Sequence, residues 1–185
     1  MRLGRFLVRG PTVPLILLLL AGTACESRPQ APALRDSSVY QNRSAGMRFL
    51  VPQGWTQVAN STLPEGPLPA EMMLVKYQMK TTARGAMLEL LCQDNSEKLD
   101  LGDYHAQASH GVPVWQREAE PESLTVGGAA AQRFMYQART GTSTMHKDVT
   151  VFRRGARVFS FVGLYWDDDH NAQEEIRRAI GSIVW

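Results

Sequence analysis

Three carboxylates and an imidazole stand side by side at Asp167-Asp168-Asp169-His170, a set of ligand types that suits a divalent cation. Four adjacent residues on a turn cannot all face one ion, however, and the run directly precedes an amphipathic segment. Acidic residues in that position complement the free amides and dipole of a helix start, and Asn171 with Glu174 has the spacing of a capping box. Helix capping is the expectation for Asp167 to His170, with a metal-dependent enzyme as the alternative.

A second constellation is His146 with Asp148, which alternate onto one face of a strand as a base and its orienting carboxylate would. No nucleophile accompanies them, so they are read as cross-strand partners on an exposed face, and an envelope hydrolase built on them is the competing reading. His105 and His110 are five residues apart, a spacing that separates them around a helix, and neither is expected to be a ligand. Cys92 ends an apolar run with no helix N-terminus or basic cluster beside it, which marks a buried, inert thiol on the face of Leu88 and Leu90. The stripe Met72, Met73, Tyr77 and Met79 suits either a core or an adaptable binding surface. Phosphate-cradling glycine loops, the Gly-x-Ser-x-Gly elbow and zinc-protease helices are absent, so no catalytic, cofactor-binding or metal residue is assigned and the chain is not expected to be an enzyme.

The amino terminus carries a clearer message. Arg2, Arg5 and Arg9 precede an apolar run over 13–20, and Ala21-Gly22-Thr23-Ala24 leads to Cys25. That order is an export signal, and the apolar run is about half of the ~20 residues a spanning helix needs. A cysteine directly after the small residues resembles the lipobox of bacterial lipoproteins, in which cleavage leaves an N-terminal cysteine carrying lipid. Gly22 departs from the usual aliphatic residue, and ordinary cleavage after Gly22-Thr23-Ala24 also fits. Lipidation at Cys25 is the expectation, giving a signal peptide over 1–24, a polar, Pro- and Ala-rich tether over 25–37, and one domain over 38–185.

Within that domain, two long strands over 144–153 and 157–166, turned at Arg154-Gly155, lead into a C-terminal helix. Val158, Ser160, Val162 and Leu164 fall on one face of the second strand and Phe159, Phe161, Gly163 and Tyr165 on the other. Both faces look buried, so a layer is needed on each side. Ala172, Ile176, Ala179, Ile180 and Ile183 at helical spacing supply one. Upstream lie an opening hairpin over 39–51, Trp55 as a plug for one end of the core, a proline-rich loop over 61–69, strands over 71–79 and 86–93 joined at 81–85, a weaker helix over 100–110, short strands over 112–118 and 124–126, and a strand over 130–138. Strands joined mostly by short turns, with helices covering them, make an α+β domain with a mainly antiparallel sheet. The segment Phe49-Leu50-Val51-Pro52-Gln53-Gly54-Trp55 after the hairpin, then the two long strands, the helix and Ser182-Ile183 at the end, resembles the PsbP-like superfamily. That resemblance implies an α/β/α sandwich over residues 38–185 and places no catalytic or ligand residue.

Composition bounds the function. With hydrophobic residues at 44% and charged residues at 21%, the chain is globular in type. Removing the three signal arginines leaves seventeen basic against eighteen acidic residues, a net charge of −1, which gives no reason to expect nucleic acid as a partner. Two cysteines in different settings form neither a disulfide framework nor a zinc site. The sequence therefore points to a membrane-tethered, non-catalytic binding or assembly module of the bacterial cell envelope. It faces the periplasm or exterior and is expected to hold an envelope protein partner and no cofactor.

Overall fold

Arg157–Trp166 is the strand from which the rest of the domain is laid out, as its two-sided hydrophobicity requires. In this computed structural model, which describes residues 38–79, 85–95 and 99–185, eight of its ten residues are paired with a neighbouring strand on both sides. The signal peptide over 1–24, Cys25, the tether over 25–37 and most of the turn at 81–85 lie outside the described residues.

In chain order the strands are β1 (Val39–Asn42), β2 (Met47–Leu50), β3 (Trp55–Asn60), β4 (Met72–Met79), β5 (Met87–Asp94), β6 (Gln116–Arg117), β7 (Glu122–Val126), β8 (Ala129–Thr140), β9 (Ser143–Arg154) and β10 (Arg157–Trp166). Helix α1 (Leu101–Ala106) follows β5 and α2 (His170–Gly181) follows β10. The hairpin β1-β2 is a sheet of its own, and the main sheet runs β3-β4-β5-β10-β9-β8-β6, with β7 also on β8. Every pairing is antiparallel.

The two faces of β10 feed two separate cores. Phe159, Phe161 and Tyr165 pack with Ala172, Ile176, Ala179 and Ile180 of α2 and with Tyr40, Met47 and Phe49 of the small hairpin. Phe49 meets Phe161 edge to face at 5.3 Å. Gly163 permits the close approach of α2, since a Cβ there would sit 2.6 Å from Ile176 Cγ2. Val158, Val162 and Leu164 pack on the opposite face with Phe134, Tyr136, Val149 and Val151, covered by Leu101, Val112 and Trp115. The residues behind the resemblance meet in space. Leu50 N–H donates to Ser182 Oγ at 2.8 Å, and Arg48 pairs with Val184 through two backbone hydrogen bonds of 2.9 Å.

The α+β expectation holds, with differences that have physical causes. Trp55 is a core residue, and it also opens an edge strand whose mixed polar face hid it from a periodicity reading. The 100–110 helix is only six residues long, because Gln107 is extended and a tight hairpin follows, closed by Ser109 and Val112 in two mutual backbone hydrogen bonds of 3.0 Å. Its central pair, His110 and Gly111, have φ of 57° and 77°, the left-handed pair of a type I′ turn. The second covering layer is therefore one short helix and irregular chain. Asp169, not Asn171, is the N-cap of α2: its Oδ1 accepts from Ala172 N at 3.0 Å, and Asn171 lies inside the helix.

Candidate functional site

On the α1 face of the sheet, strand alternation aligns charged side chains where the core would otherwise continue. Glu89 sits opposite Lys76 on one side and Val162 on the other, while Lys147 sits between Leu164 and Tyr136. Residues 104–110 pass over these strands and enclose a cavity of about 430 Å³, a size suited to a small ligand. Its walls carry Glu71, Glu89, Tyr104, His105, Ser109, His110 and Lys147, with Met73, Leu91 and Val162 as the apolar part.

Lys147 forms the deepest charge. The residue is 2% exposed, and its ammonium donates to His105 O at 2.7 Å and Ser109 Oγ at 2.9 Å, with the rings of Trp115 and Tyr136 at 5.3 and 5.9 Å. Among the described residues no carboxylate contacts it. Burial pulls its pKa down to about 8, against the opposing pull of Glu71 and Glu89. His105, equally buried, is held neutral: burial and then the neighbouring Lys147 and His110 charges take it down to about 3. Its Nε2 shares a hydrogen bond of 3.1 Å with Ser160 Oγ.

Glu89 is the saturated member of the set. Lys76 Nζ and His110 Nε2 each lie 2.8 Å from one of its oxygens. Burial alone would raise its carboxyl, but the hydrogen bonds from His110 and Lys76 outweigh it and hold the pKa below the usual range. The left-handed backbone of His110 is what aims this imidazole at Glu89, and its Nδ1 is buried without a protein partner. Glu71, exposed as a residue, has a carboxyl partly desolvated against the pocket. Burial raises its pKa, the Tyr104 hydroxyl opposes that by hydrogen bonding, and Glu89 adds to it.

The residues singled out from sequence fare differently. His146 and Asp148 do share a face, yet they do not form a pair. His146 Nδ1 is 2.6 Å from Glu118 Oε1 and stacks on Tyr165, whereas Asp148 is 1% exposed and takes a two-pronged hydrogen bond from Arg133. The expectation of an exposed face is corrected, because the Arg133 side chain closes over Asp148 while Glu118 and Tyr165 half-bury His146. Asp169 is used as a cap, Asp167 N–H donates to Thr144 O at 3.0 Å, and among the described residues no group of three or more His, Cys, Asp or Glu side chains converges on a metal position. Cys92 is fully buried with Leu88 and Leu90, and burial raises its thiol pKa to about 11. His105 and His110, read as diverging around one helix, instead line one cavity, since the helix ends between them. The signal for that was Gly111 after His110, a turn dipeptide inside the supposed helix end. In a larger open cleft near Arg154 and Arg157, Arg157 binds Asp94 and the exposed Arg154 stacks on Trp185 at 4.5 Å.

Together these features define a PsbP-like fold with a polar pocket on one sheet face. The chain is similar to cyanobacterial PsbP (CyanoP) from Synechocystis sp. PCC 6803, whose solution structure matches with a TM-score of 0.59 at 16% identity, covering 80% of this chain and 93% of that one. It is also similar to LpqN, a protein involved in cell envelope biogenesis of Mycobacterium tuberculosis, with a TM-score of 0.50 at 12% identity over 80% of this chain and 84% of that one. No family profile and no curated protein sequence matches the chain. At these identities the likeness speaks for the fold.

Proposed function

We propose that this chain is a non-catalytic binding or assembly module of the bacterial cell envelope, tethered to a membrane through lipid on Cys25. The carrying observation is the order of Arg2, Arg5 and Arg9, the apolar run over 13–20, the small residues and Cys25, followed by a polar tether to the domain. The envelope role of LpqN, a neighbour in fold, supports the same location. The saturation of Asp148 by Arg133 and of Glu89 by Lys76 and His110 supports a binding role over a hydrolytic one, because neither carboxylate is left free to act as a general base.

Fractionation tests the anchor. The protein should sediment with membranes, with a mass at the mature N-terminus that includes acyl chains, and Cys25→Ser should appear in the soluble fraction or retain its signal; two or three chains give firm anchoring where one is marginal. An unmodified N-terminus in the soluble fraction overturns the tethering. Thermal melts with calcium, magnesium and zinc test the metal-dependent alternative. A shift of several degrees that disappears in Asp168→Asn/Asp169→Asn would move the site to Asp167 through His170.

A further inference from the structure

The charges around the 430 Å³ cavity are arranged in a way that selects a ligand. At the floor Lys147 has three N–H donors, and two are used, both on neutral oxygens, His105 O and Ser109 Oγ. Of the two carboxylates, Glu89 is fully occupied by Lys76 and His110. Glu71 is not: among the described residues no cation contacts it. His105 is buried in its neutral form and adds no charge. The cavity thus carries one cation and one anion without a contacting counter-ion, set close enough to influence each other's titration.

A purely anionic ligand would satisfy Lys147 and meet repulsion from Glu71 and Glu89. A purely cationic ligand would satisfy Glu71 and meet Lys147. A neutral polyol would compensate neither charge. We infer that the pocket binds a small zwitterion bearing an ammonium and a carboxylate, an α-amino acid, with the carboxylate on Lys147 Nζ and the ammonium on Glu71. Ser109 and the buried, unpartnered His110 Nδ1 provide further polar contacts, and Met73, Leu91 and Val162 provide the wall for a side chain. Each charged contact is charge-assisted, and the one at Lys147, which is almost fully buried, is shielded from bulk water, the condition under which such hydrogen bonds are strong. This inference rests on the reading of the domain as a binding module but not on its membrane anchor, which fractionation tests separately.

The test is titration calorimetry on the full mature chain in detergent micelles. The common L-amino acids are added one at a time, with propionate, ethylamine and glucose as probes of the carboxylate alone, the ammonium alone and a neutral polyol. At least one amino acid should give saturable binding, with each single-charge probe and glucose at least about tenfold weaker, the discrimination worth roughly one charge-assisted hydrogen bond. Glu71→Gln, at the exposed rim where folding is not at risk, should weaken the amino acid about tenfold and leave propionate no weaker than before, whereas Lys147→Met should abolish the binding of both. Absence of saturable binding by every amino acid overturns the inference. So does propionate, ethylamine or glucose binding as tightly as the amino acid, or an amino acid affinity that is indifferent to Glu71→Gln.

Discussion

Lys147 and Asp148 are adjacent in sequence, both almost completely buried, and on opposite faces of one strand, yet the protein treats their charges in opposite ways. Asp148 is closed: Arg133 meets both of its oxygens, and Glu122 backs the guanidinium at 3.7 Å. Lys147 is open: its ammonium rests on neutral oxygens above a cavity. On the Asp148 face a two-turn helix stripe is pressed onto the sheet through Gly163, and the space beside Asp148 is filled by the Arg133 side chain. On the Lys147 face the cover is a six-residue helix and a tight turn, too short to fill the layer, and the shortfall is the pocket. The difference between the two regions is one of coverage, and the polar residues follow it: where packing is complete the charge is neutralised within the fold, and where packing stops the charge is left to meet something else.

The largest effect should come from opening the closed pair. Arg133→Met leaves Asp148 buried without its counter-ion and should cost about 3–5 kcal/mol in urea unfolding, while Arg133→Met/Asp148→Leu should recover most of that, since a buried pair replaced by apolar groups is often neutral. A loss below about 1 kcal/mol for the single variant would mean that water reaches Asp148 and the two faces are less different than their coverage indicates. Next in size is Gly163→Ala, whose methyl would press on Ile176 in the tightly packed face. Overpacking there should cost about 1–3 kcal/mol, whereas Ala108→Val at the exposed cavity wall should stay within about 0.5 kcal/mol. Equal costs at the two positions would erase the contrast.

The closed face was legible in the sequence and the open one was not. Helical spacing of Ala172, Ile176, Ala179 and Ile180, and the double-sided pattern of β10, are strong periodic signals that tertiary packing obeys. The pocket arises instead from where a weak helix gives out. Its residues Glu71, Glu89, His105, His110 and Lys147 come from four separate segments, and only strand register brings them together. His146 and Asp148, placed together by alternation, were parted by partners from β8 and the chain after β6, which no spacing rule could supply. The α2 cap was misplaced by two residues for a related reason: several capping residues in a row leave the choice to tertiary geometry.

A third prediction uses acid to compare the faces. His105 has a folded pKa of about 3 against an ordinary 6.5, so between these values the unfolded chain takes up a proton that the buried imidazole refuses. Stability is then fully present above pH 6.5 and is lost as pH falls toward 3, with a slope of up to about 1.4 kcal/mol per pH unit. Urea midpoints measured from pH 7 to pH 4.5 should show this slope in the wild type and a shallower one in His105→Gln. If the two curves run parallel, the imidazole is solvated and the open face titrates elsewhere.

The smallest effect has an unusual sign. Below about pH 8 the folded protein holds Lys147 charged at a cost, because burial has lowered its pKa from 10.5. Lys147→Met removes the ammonium and its two hydrogen bonds to neutral oxygens while keeping the stem that packs beneath Trp115 and Tyr136. The desolvation saved exceeds the neutral hydrogen bonds lost, so at pH 7 the variant should be more stable than the wild type by about 1 kcal/mol. The sign of the pH dependence distinguishes this from a general packing gain. Between pH 8 and 10.5 the unfolded lysine binds a proton that the folded one has released, so wild-type stability rises with pH across that window while the variant's does not. The advantage of Lys147→Met should accordingly shrink above pH 8, vanish at about pH 9 and reverse beyond it. A variant less stable than the wild type at pH 7 would show that the ammonium is already compensated inside the fold, and the open face would then be as closed as the one Asp148 occupies.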